Sequence, residues 1–219
     1  MPKTKPFDEC LNEYEAWFVE NRAVYYSELQ AIRLISKIPD NAVEIGVGSG
    51  LFAEPLGIKT GIEPSEAMRK KAKERGIHVI DGVAENLPWK DNSIDYALMV
   101  TTICFVDDVR KSLSEVYRIL QNNGNLIIGF VDKNSPEGKF YQKNKEKSLF
   151  YKDATFHSTE ELCKYLKETG FSIKKTQQTV FGLLNEVVDI QEPREGYGEG
   201  SFVVINAVKK TNRRVTKKA

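Results

Sequence analysis

The sequence predicts an α/β fold built on a doubly wound, mostly parallel sheet of seven strands with an antiparallel edge strand. Between residues 42 and 131, five short apolar segments alternate with segments of helical periodicity, and a glycine-rich turn follows the first apolar segment. Two further segments near the end of the chain alternate in the manner of antiparallel strands. Regular alternation of strand and helix over about ninety residues is typical of a parallel sheet.

The predicted parallel strands are residues 42–45, 58–62, 77–80, 94–100 and 125–131. Ser65 is the expected N-cap of the helix that follows the second strand, and Gly76 the residue that ends it. Residues 171–181 and 201–208 are the expected antiparallel strands at the edge of the sheet.

Two aromatic-rich segments lie outside this alternation. Residues 1–40 are predicted as helices, and residues 135–157 form an insertion too long for a simple connection, which we interpret as a lid. The capping-box sequence STEE at residues 158–161 opens a further helix. We therefore expect one domain over residues 1–208, with its core at 42–131 and its C-terminal helix and edge strands at 158–208, followed by a basic tail at 209–219.

Composition excludes several classes of protein. Thirty-two basic and 31 acidic residues give a net charge of +1, which makes nucleic-acid binding unlikely. No apolar run approaches the ~20 residues of a membrane span, and none near the start is typical of a secretory signal. The three cysteines lack metal-ligand spacing, so no metal is expected and a reduced, cytoplasmic protein is predicted.

The glycine-rich turn carries the clearest signal of function. Its spacing is Gly46-x-Gly48-x-Gly50, with Leu51 where a dinucleotide-binding motif would have its last glycine, so a nicotinamide-dependent oxidoreductase is disfavoured. Glu44 precedes the turn, where a carboxylate could face a cationic group. Glu63 ends the second strand, where one carboxylate can accept both hydroxyls of a ribose.

These features and four other motifs together resemble the class I S-adenosylmethionine (SAM)-dependent methyltransferases, specifically their small-molecule branch. The matching segments are VEIGVGSG (43–50), GIEPS (61–65), DGVAENLPW (81–89), SIDYA (93–97) and YRIL (117–120) with Gly124, after an aromatic helix with Tyr14 and Trp17. The resemblance extends over residues 7–131. It implies a Rossmann-like fold, SAM as cofactor with S-adenosylhomocysteine (SAH) as product, and methyl transfer of the EC 2.1.1 class.

The resemblance also implies roles for individual residues in binding the cofactor. The turn around Gly46 and Gly48 would hold the methionine part of SAM, and Glu63 its ribose. The full set of expected cofactor-binding residues is Glu44, Gly46, Gly48, Gly50, Glu63, Pro64, Ala84, Glu85 and Thr101. Val83 stands where many members carry an acidic residue, which leaves Asp81 or a backbone carbonyl to bind the adenine amino group.

The acceptor is expected above the carboxyl ends of the strands, beneath the N-terminal helices and the insertion. The predicted pocket residues are Tyr14, Trp17, Cys104, Tyr141 and Tyr151. His157, one of two histidines, is the predicted general base. A small-molecule acceptor is favoured. The alternatives are an RNA or protein methyltransferase and a non-enzymatic protein that binds SAM or SAH.

Overall fold

The computed structural model describes residues 3–210, and one sheet runs through its centre. Its strands are β1 (Ala42–Ile45), β2 (Thr60–Glu63), β3 (His78–Asp81), β4 (Ile94–Val100), β5 (Leu120–Val131), β6 (Phe171–Thr179), β7 (Arg194–Glu195) and β8 (Phe202–Lys209). Their order is β3-β2-β1-β4-β5-β8-β6-β7, and β1 to β5 are parallel whereas β6, β7 and β8 pair in antiparallel fashion. The doubly wound α/β fold is thereby confirmed.

The sheet has eight strands and not the seven predicted. The additional strand is β7, which comprises only two residues and pairs with Gln177 and Gln178 of β6. Both residues of β7 are exposed and charged, so this strand has no apolar alternation that a sequence pattern could detect.

Helices cover both faces of the sheet. They are α1 (Lys5–Glu9), α2 (Leu11–Glu20), α3 (Arg22–Ile35), α4 (Ala53–Leu56), α5 (Glu66–Glu74), α6 (Val109–Ile119), α7 (Pro136–Asn144) and α8 (Thr159–Thr169), with short 3-10 turns at Lys145–Lys147 and Leu184–Glu186. One buried cluster joins α3 and α4 to Leu98 and Ile127 of the sheet. A second joins α6 and α8 to Met99 and Ile128 on the opposite face. No helix in the described residues is both long enough and apolar enough to cross a membrane.

The predicted caps are confirmed, which explains where the helices near the site begin. The Ser65 hydroxyl accepts a hydrogen bond from the Met68 N–H at the start of α5. Ser158 and Glu161 form the expected reciprocal capping box of α8. The N-terminal helical region is interrupted at Cys10 and at Asn21.

The basic tail begins later than predicted. Lys209 is the last residue of β8 and is buried, and its ammonium donates hydrogen bonds to Asn92 Oδ1 and to the carbonyls of Tyr117 and Leu120. These bonds join the end of β8 to the end of α6 and the start of β5, so Lys209 belongs to the fold. Residues 211–219 of the predicted tail lie outside the described residues.

Candidate active site

A cavity of about 530 Å³ lies at the carboxyl ends of the parallel strands. The turn after β1, the ends of β2 and β4, and the loop after β3 form its floor, and the N-terminal helices and the 135–157 insertion cover it. This is where ligands bind in open α/β sheets. The volume is within the range of about 300–1,000 Å³ that small-molecule sites occupy.

The turn after β1 needs glycine at position 46. Gly46 has a φ of +69°, and a Cβ built there would lie 2.4 Å from both Oγ1 and Cγ2 of Thr102. Its N–H donates to the Ile62 carbonyl at 2.8 Å, which ties the turn to β2. Gly48, with a φ of +54°, also lines the cavity. Both glycines bring backbone to the cavity surface, where a ligand can approach it closely.

Glu63 is held in place by two backbone donors. Its Oε2 accepts from the Gly48 N–H at 3.0 Å, and its Oε1 accepts from the Ser65 N–H at 2.9 Å. Burial raises the pKa of the Glu63 carboxyl to about 7, although these N–H groups and Arg69 act in the opposite direction. A carboxylate has about four acceptor positions, so two remain for the hydroxyls of a bound ribose.

The loop after β3 forms another wall of the cavity. Val83, Ala84 and Glu85 all line it, as does Pro64 after β2. Glu85 Oε1 accepts from the backbone N–H groups of Asp107 and Asp108, at 2.7 and 3.1 Å. The Glu85 side chain thus joins this loop to the start of α6.

Thr101 lies at the end of β4 and lines the cavity in a strained backbone conformation. Its φ is +52°, which is unusual for a β-branched residue. The Thr101 N–H donates to the Gly129 carbonyl at 2.8 Å, and this bond to β5 holds the conformation. Such strain is found preferentially at functional sites.

The two predicted covering segments meet over the cavity through aromatic rings. Phe7 of α1 stacks on Phe150 with their ring centroids 5.6 Å apart, and Tyr14 of α2 meets Phe150 edge-on at 5.8 Å. Tyr141 and Tyr151 pack together at 4.7 Å. Of the predicted pocket residues, Tyr14, Trp17, Tyr141 and Tyr151 line the cavity.

Two buried carboxyl groups in the cavity wall were absent from the sequence prediction. Glu137 of α7 accepts from the Leu184 N–H at 3.2 Å and shares a hydrogen bond with the Tyr141 hydroxyl. Glu28 of α3 is 7% exposed, and burial raises its pKa to about 8. A detectable signal existed for Glu28, because it occupies a position in the apolar stripe of α3, one turn from both Val24 and Ile32.

Glu44 and Gly50 act behind the cavity wall and not within it. Glu44 is 1% exposed, and its carboxyl accepts from the Ala53 N–H, the first residue of α4. It therefore braces the glycine turn from beneath. A Cβ at Gly50 would lie 2.5 Å from Cδ1 of Ile77, so the absence of a side chain at Gly50 lets the turn pack against Ile77, the residue just before β3. Glu44 does not line the cavity, and its contact with a cationic ligand group stays a prediction.

Cys104 and His157 also lie outside the cavity lining. The Cys104 thiol donates to the Thr101 carbonyl, and burial raises its pKa to about 12. His157 is buried beside Tyr165, just before the Ser158 cap, and burial lowers its pKa. His157 therefore does not line the cavity, and its role as general base stays a prediction.

Comparison with known proteins identifies the family of the chain. A family model described as "Methyltransferase domain" matches residues 43–128. A Thermotoga maritima crystal structure, described as a SAM-dependent methyltransferase and possible histamine N-methyltransferase, is 53% identical. The match covers 94% of this chain and 100% of that one, with a TM-score of 0.91. An uncharacterised protein of Methanocaldococcus jannaschii is 45% identical over 93% of this chain and 98% of its own length.

The chain belongs to the class I SAM-dependent methyltransferases. Its cofactor is SAM, and its activity is methyl transfer. The sequence-based predictions of a class I methyltransferase, of a doubly wound α/β fold and of SAM as cofactor are confirmed, and the small-molecule branch stays a prediction.

Proposed function

We propose that the protein transfers the methyl group of SAM to a small molecule held in the aromatic part of the cavity. One observation carries the proposal: the glycine turn and Glu63 share a single covered cavity with the rings of Tyr14, Tyr141 and Tyr151. A compartment of this size, closed by side chains from two segments, is suited to a small acceptor and not to a polymer.

The residues present fit the cofactor. The backbone at Gly46 and Gly48 offers close approach for the methionine part, and the free acceptor positions of Glu63 suit the ribose hydroxyls. Ala84 and Glu85 would border the adenine, with Thr101 beside the sulfonium end. When bound, SAM supplies an activated methyl group with a good leaving group. The chain then has to orient the acceptor in line and exclude water.

Amines are the first acceptors to test. The Thermotoga maritima relative, described as a possible histamine N-methyltransferase, supports a nitrogen acceptor. Carboxyl groups of Glu28 and Glu137 in the wall also suit a basic ligand. Demethylmenaquinone methyltransferases of Listeria are 30% identical over 54% of this chain, so quinol acceptors belong in the same panel.

The test is methyl transfer from labelled SAM to matched small amines, thiols, phenols and quinols, with total RNA and whole protein extract as competing acceptor classes. Products are identified by mass. We expect transfer to at least one small molecule and none to RNA or protein. Transfer to RNA or protein alone would overturn the proposal, and SAM binding without any turnover would favour the non-enzymatic alternative.

A further inference from the structure

Glu28 differs from the other buried carboxyl groups near the site because it has no partner. Glu28 lines the cavity, is 7% exposed, and forms neither a hydrogen bond nor an ion pair with any of residues 3–210. By contrast, Glu63 accepts two backbone N–H groups, and Glu137 accepts one together with the Tyr141 hydroxyl.

A buried carboxyl without a partner is costly in its charged form. Burial is the cause that raises the Glu28 pKa to about 8, with no basic side chain acting against it. In the absence of a ligand, the group is therefore largely protonated at neutral pH. A cation placed beside it would satisfy it and shift it to the carboxylate.

The surroundings of Glu28 also favour a cation. Tyr14, Tyr141 and Tyr151 line the same cavity as Glu28, from α2, α7 and the loop after α7. Aromatic faces attract ammonium groups, most strongly where water is excluded. The cavity lining thus combines several aromatic rings with one carboxyl that has no partner among the described residues.

We propose that Glu28 selects a protonated amine as the methyl acceptor and removes the proton that blocks its nitrogen, an inference that rests on the proposed function. The ammonium R–NH₃⁺ would bind to the Glu28 carboxylate and transfer one proton to it, giving R–NH₂ and a neutral carboxyl. The nitrogen lone pair then forms the new N–C bond while the S–C bond of the methyl donor breaks. The products are R–NH₂CH₃⁺ and SAH, and the proton on Glu28 passes to water when the site opens.

A competing role must be separated from this one, because SAM itself carries an ammonium group. If Glu28 bound that group, its substitution would weaken the binding of SAH as well. The decisive measurement is therefore acceptor binding to the protein–SAH complex, compared with the binding of SAH alone.

The experiment uses calorimetry on the wild-type protein, Glu28→Gln and the control Glu20→Gln, which alters an exposed carboxyl on α2. The probes are pairs of the same skeleton, such as 2-phenylethylamine with 2-phenylethanol, histamine with 4-(2-hydroxyethyl)imidazole, and an alkylamine with its alcohol. We expect the wild-type complex to bind at least one amine about 10-fold or more tightly than its alcohol. Glu28→Gln should lose that preference, with amine affinity reduced about 10–150-fold and SAH affinity unchanged.

The pH dependence provides a readout that a packing role would not change. Amine affinity of the wild-type complex should rise as Glu28 ionises near pH 8 and fall when the amine loses its own proton. Glu28→Gln should lack the rising limb. Tyr14, Tyr141, Tyr151, Glu137 and Glu63 face the same cavity and remain in both proteins, so the difference between the two profiles reports Glu28.

Three results would overturn the inference: no amine preferred over its alcohol by the wild-type complex, an unchanged preference in Glu28→Gln, or an equal loss of SAH affinity. The first is measured without any variant and so does not depend on the folding of Glu28→Gln. Failure of the proposed function is distinct, since the wild-type protein would then methylate only RNA or protein. Methylation of a neutral acceptor by both wild type and Glu28→Gln would leave the proposed function standing and remove only the role of Glu28.

Discussion

Two parts of the cavity are built in different ways. The donor half, around the glycine turn and Glu63, is where SAM would bind, and the acceptor half lies beneath the cover formed by the aromatic residues of 7–18 and 135–157. Around the glycine turn, backbone N–H groups make the directional contacts: Gly46 donates to the Ile62 carbonyl, and Gly48 and Ser65 donate to the Glu63 carboxylate. Around the acceptor compartment, ring contacts predominate, such as those of Phe7 with Phe150 and of Tyr141 with Tyr151. Directional bonds specify one ligand, whereas packed rings can change to suit another. The difference teaches that the sheet and its turns determine which methyl donor binds, whereas the aromatic residues of the cover, which can be exchanged without changing the fold, determine which acceptor binds.

The largest expected effect contrasts two buried carboxyl groups, one from each half. The pKa of Glu28 is raised to about 8 and that of Glu63 to about 7, so each favours the folded state in its protonated form. This stability is fully present below about pH 4.5 and is lost as the pH rises through those values. When the pH is raised from 5 to 9, the free energy of unfolding should therefore fall less in Glu28→Gln than in the wild type. The difference between the two falls should be at most about 5 kcal/mol.

For Glu63→Gln the same difference should be smaller, at most about 3 kcal/mol, because backbone donors already stabilise its carboxylate. Urea unfolding at a series of pH values measures both, and the exposed Glu20→Gln variant should follow the wild type. Parallel curves for Glu28→Gln and the wild type would mean that Glu28 is already ionised in the folded protein.

The next effect tests how rigid the donor half is. Gly46→Ala combines a φ of +69° with a Cβ only 2.4 Å from Thr102, whose hydroxyl is itself bonded to the carbonyls of Gly46 and Val100. We expect a loss of about 3 kcal/mol in the free energy of unfolding.

Gly57→Ala is the matched control for this substitution. Its φ is +76°, but a Cβ there would meet nothing within 4 Å, so only about 1 kcal/mol of backbone strain is expected. Urea unfolding measures both variants, and SAH titration should show a loss of affinity for Gly46→Ala alone. Equal stability losses would indicate that Thr102 moves away and that the turn is less rigid than its hydrogen bonds imply.

A third prediction addresses the ribose. Glu63→Ala should weaken SAH binding by about 1.5–3 kcal/mol, since charge-assisted hydrogen bonds to two hydroxyls are lost. Calorimetry is the measurement. The control is Glu66→Ala, which removes an exposed carboxyl at the start of α5 and should leave the affinity unchanged. An unaltered dissociation constant for Glu63→Ala would place the ribose elsewhere. NAD should not bind to the wild-type protein.

The smallest effect concerns the cover. Asp8 of α1 accepts from the Ser65 hydroxyl at 2.6 Å and the Ala67 N–H at 3.3 Å, which ties the cover to the donor half. Asp8→Ala should speed hydrogen exchange over residues 5–20 by about 2–5-fold, as expected for a loss of ~0.5–1 kcal/mol. SAH should restore part of the protection.

Glu9→Ala, an exposed neighbour of Asp8, is the control for the exchange measurement. If exchange in Asp8→Ala matches that of Glu9→Ala, the cover is held by its aromatic contacts alone.

The donor half could be predicted from sequence because its geometry restricts residue type. Gly46 and Gly48 require positive φ, and Ser65 has to cap α5, so each leaves a signal at a fixed spacing. Glu44 does not line the cavity, which the sequence could not show, since a strand-end carboxyl can either face a ligand or brace the backbone.

The acceptor half could be predicted only as a region. Aromatic residues at 7–18 and 135–157 indicated a cover, but a ring's contacts depend on the relative placement of distant segments. His157 was chosen as a base because of its residue type; it lies just before the cap of α8 and outside the cavity lining, and its role as a base stays a prediction. The carboxyl in the wall, Glu28, was visible only as a charged residue in an apolar stripe.

The two ends of the described chain have unequal value for handling the protein in the laboratory. Lys3 and Thr4 line the cavity, whereas β8 runs from Phe202, paired with Val131 beside the site, to Val208, paired with Asn125 at the far edge. The eight residues from Phe202 to Lys209 span roughly 24 Å of extended strand. Purification tags and surface tethers therefore belong after residue 210, because a fusion ahead of residue 3 would crowd the mouth through which ligands pass.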